Sequence, residues 1–210
     1  MSGTRPAVDL SAHLIDPTSL DAPAPINWPE LFGNDHPVEL EIGSGKGLFL
    51  INAASSVTGH NFLGVELARK YARMAALRLA RRQLANAKIW RGDARLIIGR
   101  LVPEASLRVV HVYFPDPWWK KRHKKRRVFT EELVAQIARA LELGGELRVA
   151  SDVEEYFVLI QSLIATNPRF RKQPVPEPKG PEHELDYLTN FERKYRLEGR
   201  PIFRAHYTRG

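Results

Sequence analysis

The sequence predicts an α/β fold, an open and mainly parallel sheet with helices on both faces. Three observations predict it. From Val38 onward, apolar runs of strand length alternate with segments of helical periodicity, the pattern of repeated strand–helix units. Val109–Phe114 is apolar almost throughout, as a parallel strand covered on both faces must be. The first strand runs straight into Gly43, Gly45 and Gly47, a composition that lets the backbone turn tightly into a helix and approach a ligand closely.

Taken in order, residues 1–35 read as an N-terminal arm with five prolines and one short helix over Trp28–Phe32. Residues 36–210 read as a single domain. Val38–Ile42 is the first strand, and Leu48–Ser55 is the helix that follows the glycine loop. Asn61–Glu66 is the second strand. Leu67–Leu84 is a long helix, with Leu67, Tyr71, Met74 and Leu77 at spacings of three and four as its apolar side. Lys88–Arg91 is a short strand and Arg95–Leu101 a short helix. After the buried strand Val109–Phe114, Thr130–Leu143 is a helix with Thr130 as N-cap and Gly144-Gly145 as its stop. Glu146–Ser151 is a strand, Val153–Ala165 a helix, and Gln173–Pro181 a loop with four prolines. Ile202–Thr208 is the last strand, expected to run antiparallel.

Composition narrows the function classes. The chain has 210 residues, 43% hydrophobic, enough for one ordinary domain with a substantial core. No stretch approaches the roughly 18 apolar residues of a membrane span. The N-terminus lacks the basic-then-apolar pattern of a secretory signal, so a cytoplasmic location is expected. Without cysteine there is neither a disulfide nor a thiolate zinc site, and the seven histidines are scattered, so no metal is expected. Net charge is +8, and residues 120–127 (KKRHKKRR) alone carry seven Lys or Arg and no acid. Basicity this local, inside the chain rather than on a tail, points to a polyanion contact. The helix Leu67–Leu84 offers a second basic surface, with Arg69, Lys70, Arg73, Arg78, Arg81, Arg82 and no acid; a solvated helix face reads equally well there.

Ligands of such sheets sit outside the carboxyl ends of the strands. The first strand ends in Glu41-Ile42-Gly43-Ser44-Gly45-Lys46-Gly47. The register is GxGxG rather than the GxGxxG of dinucleotide sites, since position 48 is Leu48. An acid before the loop suits a cationic ligand, and S-adenosylmethionine carries an ammonium and a sulfonium. Glu66 ends the second strand, where a carboxylate can accept from both ribose hydroxyls. Asp93 follows the third strand, within reach of an adenine amine. Taken singly, each of these acids reads equally well as a surface residue or helix cap. Three acids at successive strand ends, with the glycines, resemble the Rossmann-like class I S-adenosylmethionine methyltransferase fold.

The buried strand then enters Phe114-Pro115-Asp116-Pro117-Trp118-Trp119. Two prolines hold Asp116 in an extended loop at the sheet edge. One carboxylate can accept both the N1–H and the N2 amine of a guanine, while an aromatic ring stacks on the base. Guanine N7 bears a free lone pair and no proton. A methyl transfer there needs orientation and charge stabilisation rather than a base.

Together LEIGSGKG (40–47), GVEL (64–67), GDA (92–94), FPDPW with KKRHKKRR (114–127), GGELRVASDVEEY (144–156) and TNFERK (189–194) resemble the bacterial tRNA (guanine-N7-)-methyltransferase family. The resemblance covers residues 38–208 and implies transfer of methyl from S-adenosylmethionine to the variable-loop guanine of tRNA. It implies cofactor contacts by Glu41, Gly43, Gly45, Gly47, Glu66, Asp93 and Asp116, with Asp116 also the active-site residue. It implies substrate contacts by Lys120, Asp152, Thr189, Asn190, Phe191 and Glu192. RNA contact falls to Arg122, His123, Lys124, Lys125, Arg126 and Arg127. The expected assembly is a monomer or homodimer. Two other classes stay open: the same cofactor with another acceptor, an exocyclic amine or a protein side chain, and a non-enzymatic RNA-binding subunit.

Overall fold

The computed structural model describes residues 8–17, 25–118, 122, 127–175, 192 and 197–210. In chain order the elements are β1 (Leu14–Ile15), α1 (Trp28–Phe32), β2 (Val38–Ile42), α2 (Leu48–Ser56), β3 (Asn61–Glu66), α3 (Arg69–Arg81) and β4 (Ala87–Arg91). They continue with α4 (Ala94–Arg100), β5 (Leu107–Tyr113), α5 (Glu131–Ala140), β6 (Leu141–Ser151), α6 (Glu154–Ala165), β7 (Phe170–Gln173) and β8 (Phe203–Arg209). Among the described residues there is one eight-stranded sheet in the order β1-β4-β3-β2-β5-β6-β8-β7. The pairs from β1 to β6 are parallel, while β8 runs antiparallel to both β6 and β7. The expected α/β class and the antiparallel last strand are both present.

The chain winds outward from β2 through β3 to β4, then returns to the other side of β2 to place β5 and β6. That reversal opens a crevice at the carboxyl ends of β2 and β5, where ligands bind in such sheets. Every residue of β2 is buried, as befits a central parallel strand. Apolar side chains fill both faces. One core joins Leu40, Val110, Leu147, Leu133 and Ile160; the other joins Phe49, Leu50, Phe62, Ala75 and Leu79.

Three sequence expectations are corrected. The helix beginning at Thr130 does not run to Leu143. Thr130 does cap it, its hydroxyl accepting from the Leu133 amide at 3.1 Å, but the helix ends at Ala140 and β6 begins at Leu141, which pairs with Leu107. Gly144 and Gly145 lie inside that strand segment rather than stopping a helix. A side chain on Gly145 would meet the carbonyls of Glu142 and Leu107 at 2.9 and 3.1 Å, so the residue serves an irregularity in the β5–β6 ladder.

The face of α3 is also different. Leu67 lies before the helix, 69% exposed, and Tyr71 is 41% exposed; the buried side is Ala72, Ala75, Ala76 and Leu79. The reason is the glycine loop. A Cβ on Gly47 would come within 2.8 Å of the Ala75 Cβ, so α3 lies too close to the loop for larger side chains. Third, two edge strands join the expected six. β1 comes from within residues 1–35 and pairs with β4, while Trp28 of α1 is buried against the main core. β7 pairs with β8 at the other edge. No described helix is long and apolar enough to cross a membrane.

Candidate active site

The strand ends bring Glu41, the glycine loop and Glu66 together. Gly45 and Gly47 adopt φ of 54° and 76°, open to glycine at little cost. The turn this permits aims the Gly45 amide at Glu66, whose Oε2 accepts it at 2.8 Å. The Ala68 amide, at the start of α3, donates to Glu66 Oε1 at 2.7 Å. Two backbone donors thus fix this carboxylate and leave its remaining lone pairs for a ligand.

Glu41 is the unusual group. It is 3% exposed, and its Oε2 has no hydrogen-bond partner among the described residues. Burial, and then the nearby Glu66 carboxylate, push its carboxyl up to about 8. Two residues earlier, Glu39 shows what a settled buried acid looks like on the same strand. Its Oε1 meets His60 Nδ1 at 2.7 Å and its Oε2 meets His111 Nε2 at 2.6 Å, while His111 Nδ1 lies 2.8 Å from the Tyr113 hydroxyl. Burial pushes the Glu39 carboxyl up, but the bonds from His111 and His60 more than offset it and hold it below the ordinary value. Glu41 Oε2 has no such donor among the described residues, so a ligand ammonium would complete it. The Ser44 hydroxyl in the same loop is likewise buried without a partner among the described residues. Gly64 lies under it, where a Cβ would come within 2.5 Å of Ser44 Oγ. Sequence reasoning passed over Ser44 and Gly64, because a small residue in a loop or strand carries no signal until its neighbour is known.

Asp93 caps α4. Its Oδ1 accepts from the Arg95 amide at 2.9 Å and its Oδ2 from the Arg95 guanidinium at 2.7 Å. The side-chain bond from Arg95 is the main reason its carboxyl lies below the usual carboxylate range, burial opposing it.

Across the crevice, the segment after β5 is backbone-strained. Phe114 and Trp118 take φ of 52° and 42°, in the left-handed region that bulky residues avoid. Between them Asp116 is exposed, framed by Pro115 and Pro117. The turn is held in part by the Phe114 amide, which donates to Ala150 O at 2.8 Å, and by Arg127 Nε, which donates to Pro117 O at 2.7 Å. The Arg127 guanidinium also lies 5.5 Å over the ring of Tyr156 on α6. Burial pushes the Tyr156 phenol up to about 12, with Arg127 and the Phe129 amide pulling it back and Asp116 adding a smaller push upward. Tyr156 supports the Asp116 loop from below, a role that its place on a periodic helix concealed.

Two further acids are placed by ion pairs. Asp152 accepts from Arg200 Nη2 at 3.1 Å, and Glu192, 1% exposed, from Arg204 Nη2 at 2.5 Å. Arg122 is exposed. Lys120, His123, Lys124, Lys125, Arg126, Thr189, Asn190 and Phe191 lie outside the described residues, as does Trp119.

A family model described as "Putative methyltransferase" matches residues 35–205. The tRNA (guanine-N(7)-)-methyltransferase of Rhodopirellula baltica is 46% identical over 97% of this chain and 76% of its own. The chain belongs to this methyltransferase family. The enzyme of the same name from Geobacter metallireducens is 32% identical, over 94% of this chain and 92% of its own. Among solved structures, the aminoglycoside resistance methyltransferase NpmB1 superposes with a TM-score of 0.61 at 17% identity, covering 86% of this chain and 91% of that one, a likeness of fold.

Proposed function

We infer that this chain is a tRNA (guanine-N7-)-methyltransferase, acting in the cytoplasm, with S-adenosylmethionine as methyl donor. The observation that carries the reading is Glu41: a buried acid whose Oε2 has no partner among the described residues, at the foot of a glycine loop, with an exposed acid on a strained turn following the neighbouring strand. Glu41 would ionise against the cofactor's ammonium, and Ser44 would give or accept a further bond. Glu66 offers its remaining lone pairs to the ribose hydroxyls, and Asp93 stands at the next strand end for the adenine. When bound, the cofactor supplies a methyl group made electrophilic by its sulfonium.

Asp116 would accept from the guanine's N1–H and N2 amine and so aim N7 into the crevice. N7 carries no proton, so no residue has to remove one. The ring becomes cationic as the methyl arrives, and the Asp116 carboxylate complements that charge. The strained backbone on either side, tied by Arg127 and Tyr156, keeps the carboxylate from following solvent instead of the base. Residues 120–127, which follow directly in the chain, supply cations for the phosphates beside the target.

The test is transfer of labelled methyl from S-adenosylmethionine into unmodified tRNA, with the modified nucleoside identified after digestion. N7-methylguanosine is expected. Label in another nucleoside would move the acceptor atom, and no label with a folded, tRNA-binding protein would leave only a binding subunit.

A further inference from the structure

α3 carries a row of exposed cations with little compensating negative charge beside it. Arg69, Lys70, Arg73, Arg81 and Arg82 are exposed, and the helix contains no acid. Among the described residues, no carboxylate lies within ion-pair distance of Lys70, Arg73, Arg81 or Arg82. Arg69 has Asp16 at 3.6 Å, and Arg78 donates to the Lys46 carbonyl at 3.0 Å. Arg73 stands three residues after Lys70 and four after Arg69; Arg81 and Arg82 stand three and four after Arg78. Side chains at those spacings are neighbours on a helix, and like charges there repel. Arg69 and Lys70 also occupy the first turn, at the positive end of the helix dipole, where acids are favoured. A merely solvated helix mixes both signs. This one is relieved only when a row of anions lies along it.

Its place in the fold says which anions. The alanine side of α3 packs on Gly47, and Arg78 holds the loop at Lys46, so the helix and the glycine loop form one rigid unit. The first turn follows directly on Glu66, with Leu67 and Tyr71 exposed beside it. From there the cations extend along 13 residues, about 20 Å, away from the crevice. α3 lies with β3 and β4 on one side of β2, whereas the Asp116 loop follows β5 on the other.

Resting on the reading of tRNA as substrate, we propose that α3 is a second backbone-binding surface. Lys70, Arg73, Arg81 and Arg82 take phosphates of the tRNA body on the side of the crevice opposite the Asp116 loop. The RNA is thereby gripped on both sides of the target base.

The test is the variant K70Q/R73Q/R81Q/R82Q, beside the charge-keeping K70R/R73K/R81K/R82K. The neutral variant should keep kcat and the affinity for S-adenosylhomocysteine within twofold while its KM for tRNA rises about tenfold or more. The slope of log affinity for tRNA against log salt should become shallower by up to about 3.6, or 0.9 for each phosphate released. The charge-keeping variant should restore KM. An unchanged KM and salt slope overturns the proposal. So does loss of binding to vesicles of anionic lipid with tRNA binding intact. If wild-type protein methylates no tRNA, the functional reading fails; if it does and the neutral variant is indifferent, only this proposal fails.

Discussion

Cofactor binding should be coupled to release of one proton, and Glu41 is the reason. Its carboxyl is pushed from an ordinary 4.5 up to about 8 by burial and by Glu66. At pH 7 about one Glu41 in ten is then ionised, and at pH 6 about one in a hundred. A ligand whose ammonium rests on the carboxylate must expel the proton first. Its affinity therefore falls about tenfold, or 1.4 kcal/mol, for each pH unit below 8. S-adenosylhomocysteine keeps the ammonium and lacks a reactive methyl, so titration calorimetry from pH 5.5 to 8 reads the effect without turnover. Repeating it in buffers of different ionisation heat counts the protons released, which should approach one. Glu41→Gln cannot ionise, so its affinity should be weaker at pH 8 and flat across the range. A wild-type affinity that is already flat between pH 6 and 8 would refute the reasoning, because Glu41 would then be either ionised before binding or not in contact with the ammonium.

The same residue governs stability, with the sign fixed by its shift. The folded protein binds this proton more tightly than the unfolded chain, so stability is lost as pH rises from about 4.5 to about 8. Thermal melts should therefore show Glu41→Gln gaining on wild type at pH 8 relative to pH 5; a constant difference would mean Glu41 is not held neutral. Asp116→Asn should lower kcat about 100-fold or more while S-adenosylhomocysteine affinity stays within threefold, since the exposed residue acts on the base and its charge. Equal losses in both would make it a cofactor ligand only. Gly47→Ala should cost about 1–3 kcal/mol in urea unfolding, because its φ is 76° and the new Cβ would meet Ala75 at 2.8 Å. An unchanged midpoint would show that α3 can move away.

The alternation of strands and helices was legible because it is written in composition. Runs such as Val109–Val112 need cover on both faces, and glycines after β2 mark the turn into α2. Thr130 announced its helix start through a local bond. What failed was what depends on distant contacts. The α3 face was misread because Leu67, Tyr71, Met74 and Leu77 have helical spacing, yet alanine was demanded by Gly47, over 20 residues away in the chain. Gly144-Gly145 looked like a helix stop because the carbonyls of Leu107 and Arg108, which crowd Gly145, belong to another strand. β1 and β7 are short edge pieces with no alternation to detect. At the site, the acids could be picked out as strand-end residues, but their states could not. Glu39 and Glu41 are alike in sequence, and among the described residues the imidazoles of His60 and His111 separate a satisfied acid from one whose Oε2 has no partner.

The central claim is that the methyl acceptor is N7 of a guanine. The most direct measurement compares methyl transfer to unmodified tRNA with transfer to the same tRNA carrying 7-deazaguanine at the variable-loop position, where carbon replaces the lone-pair nitrogen. The account predicts stoichiometric transfer to the first, none to the second, and equal binding of both. Undiminished transfer to the 7-deaza tRNA would contradict it.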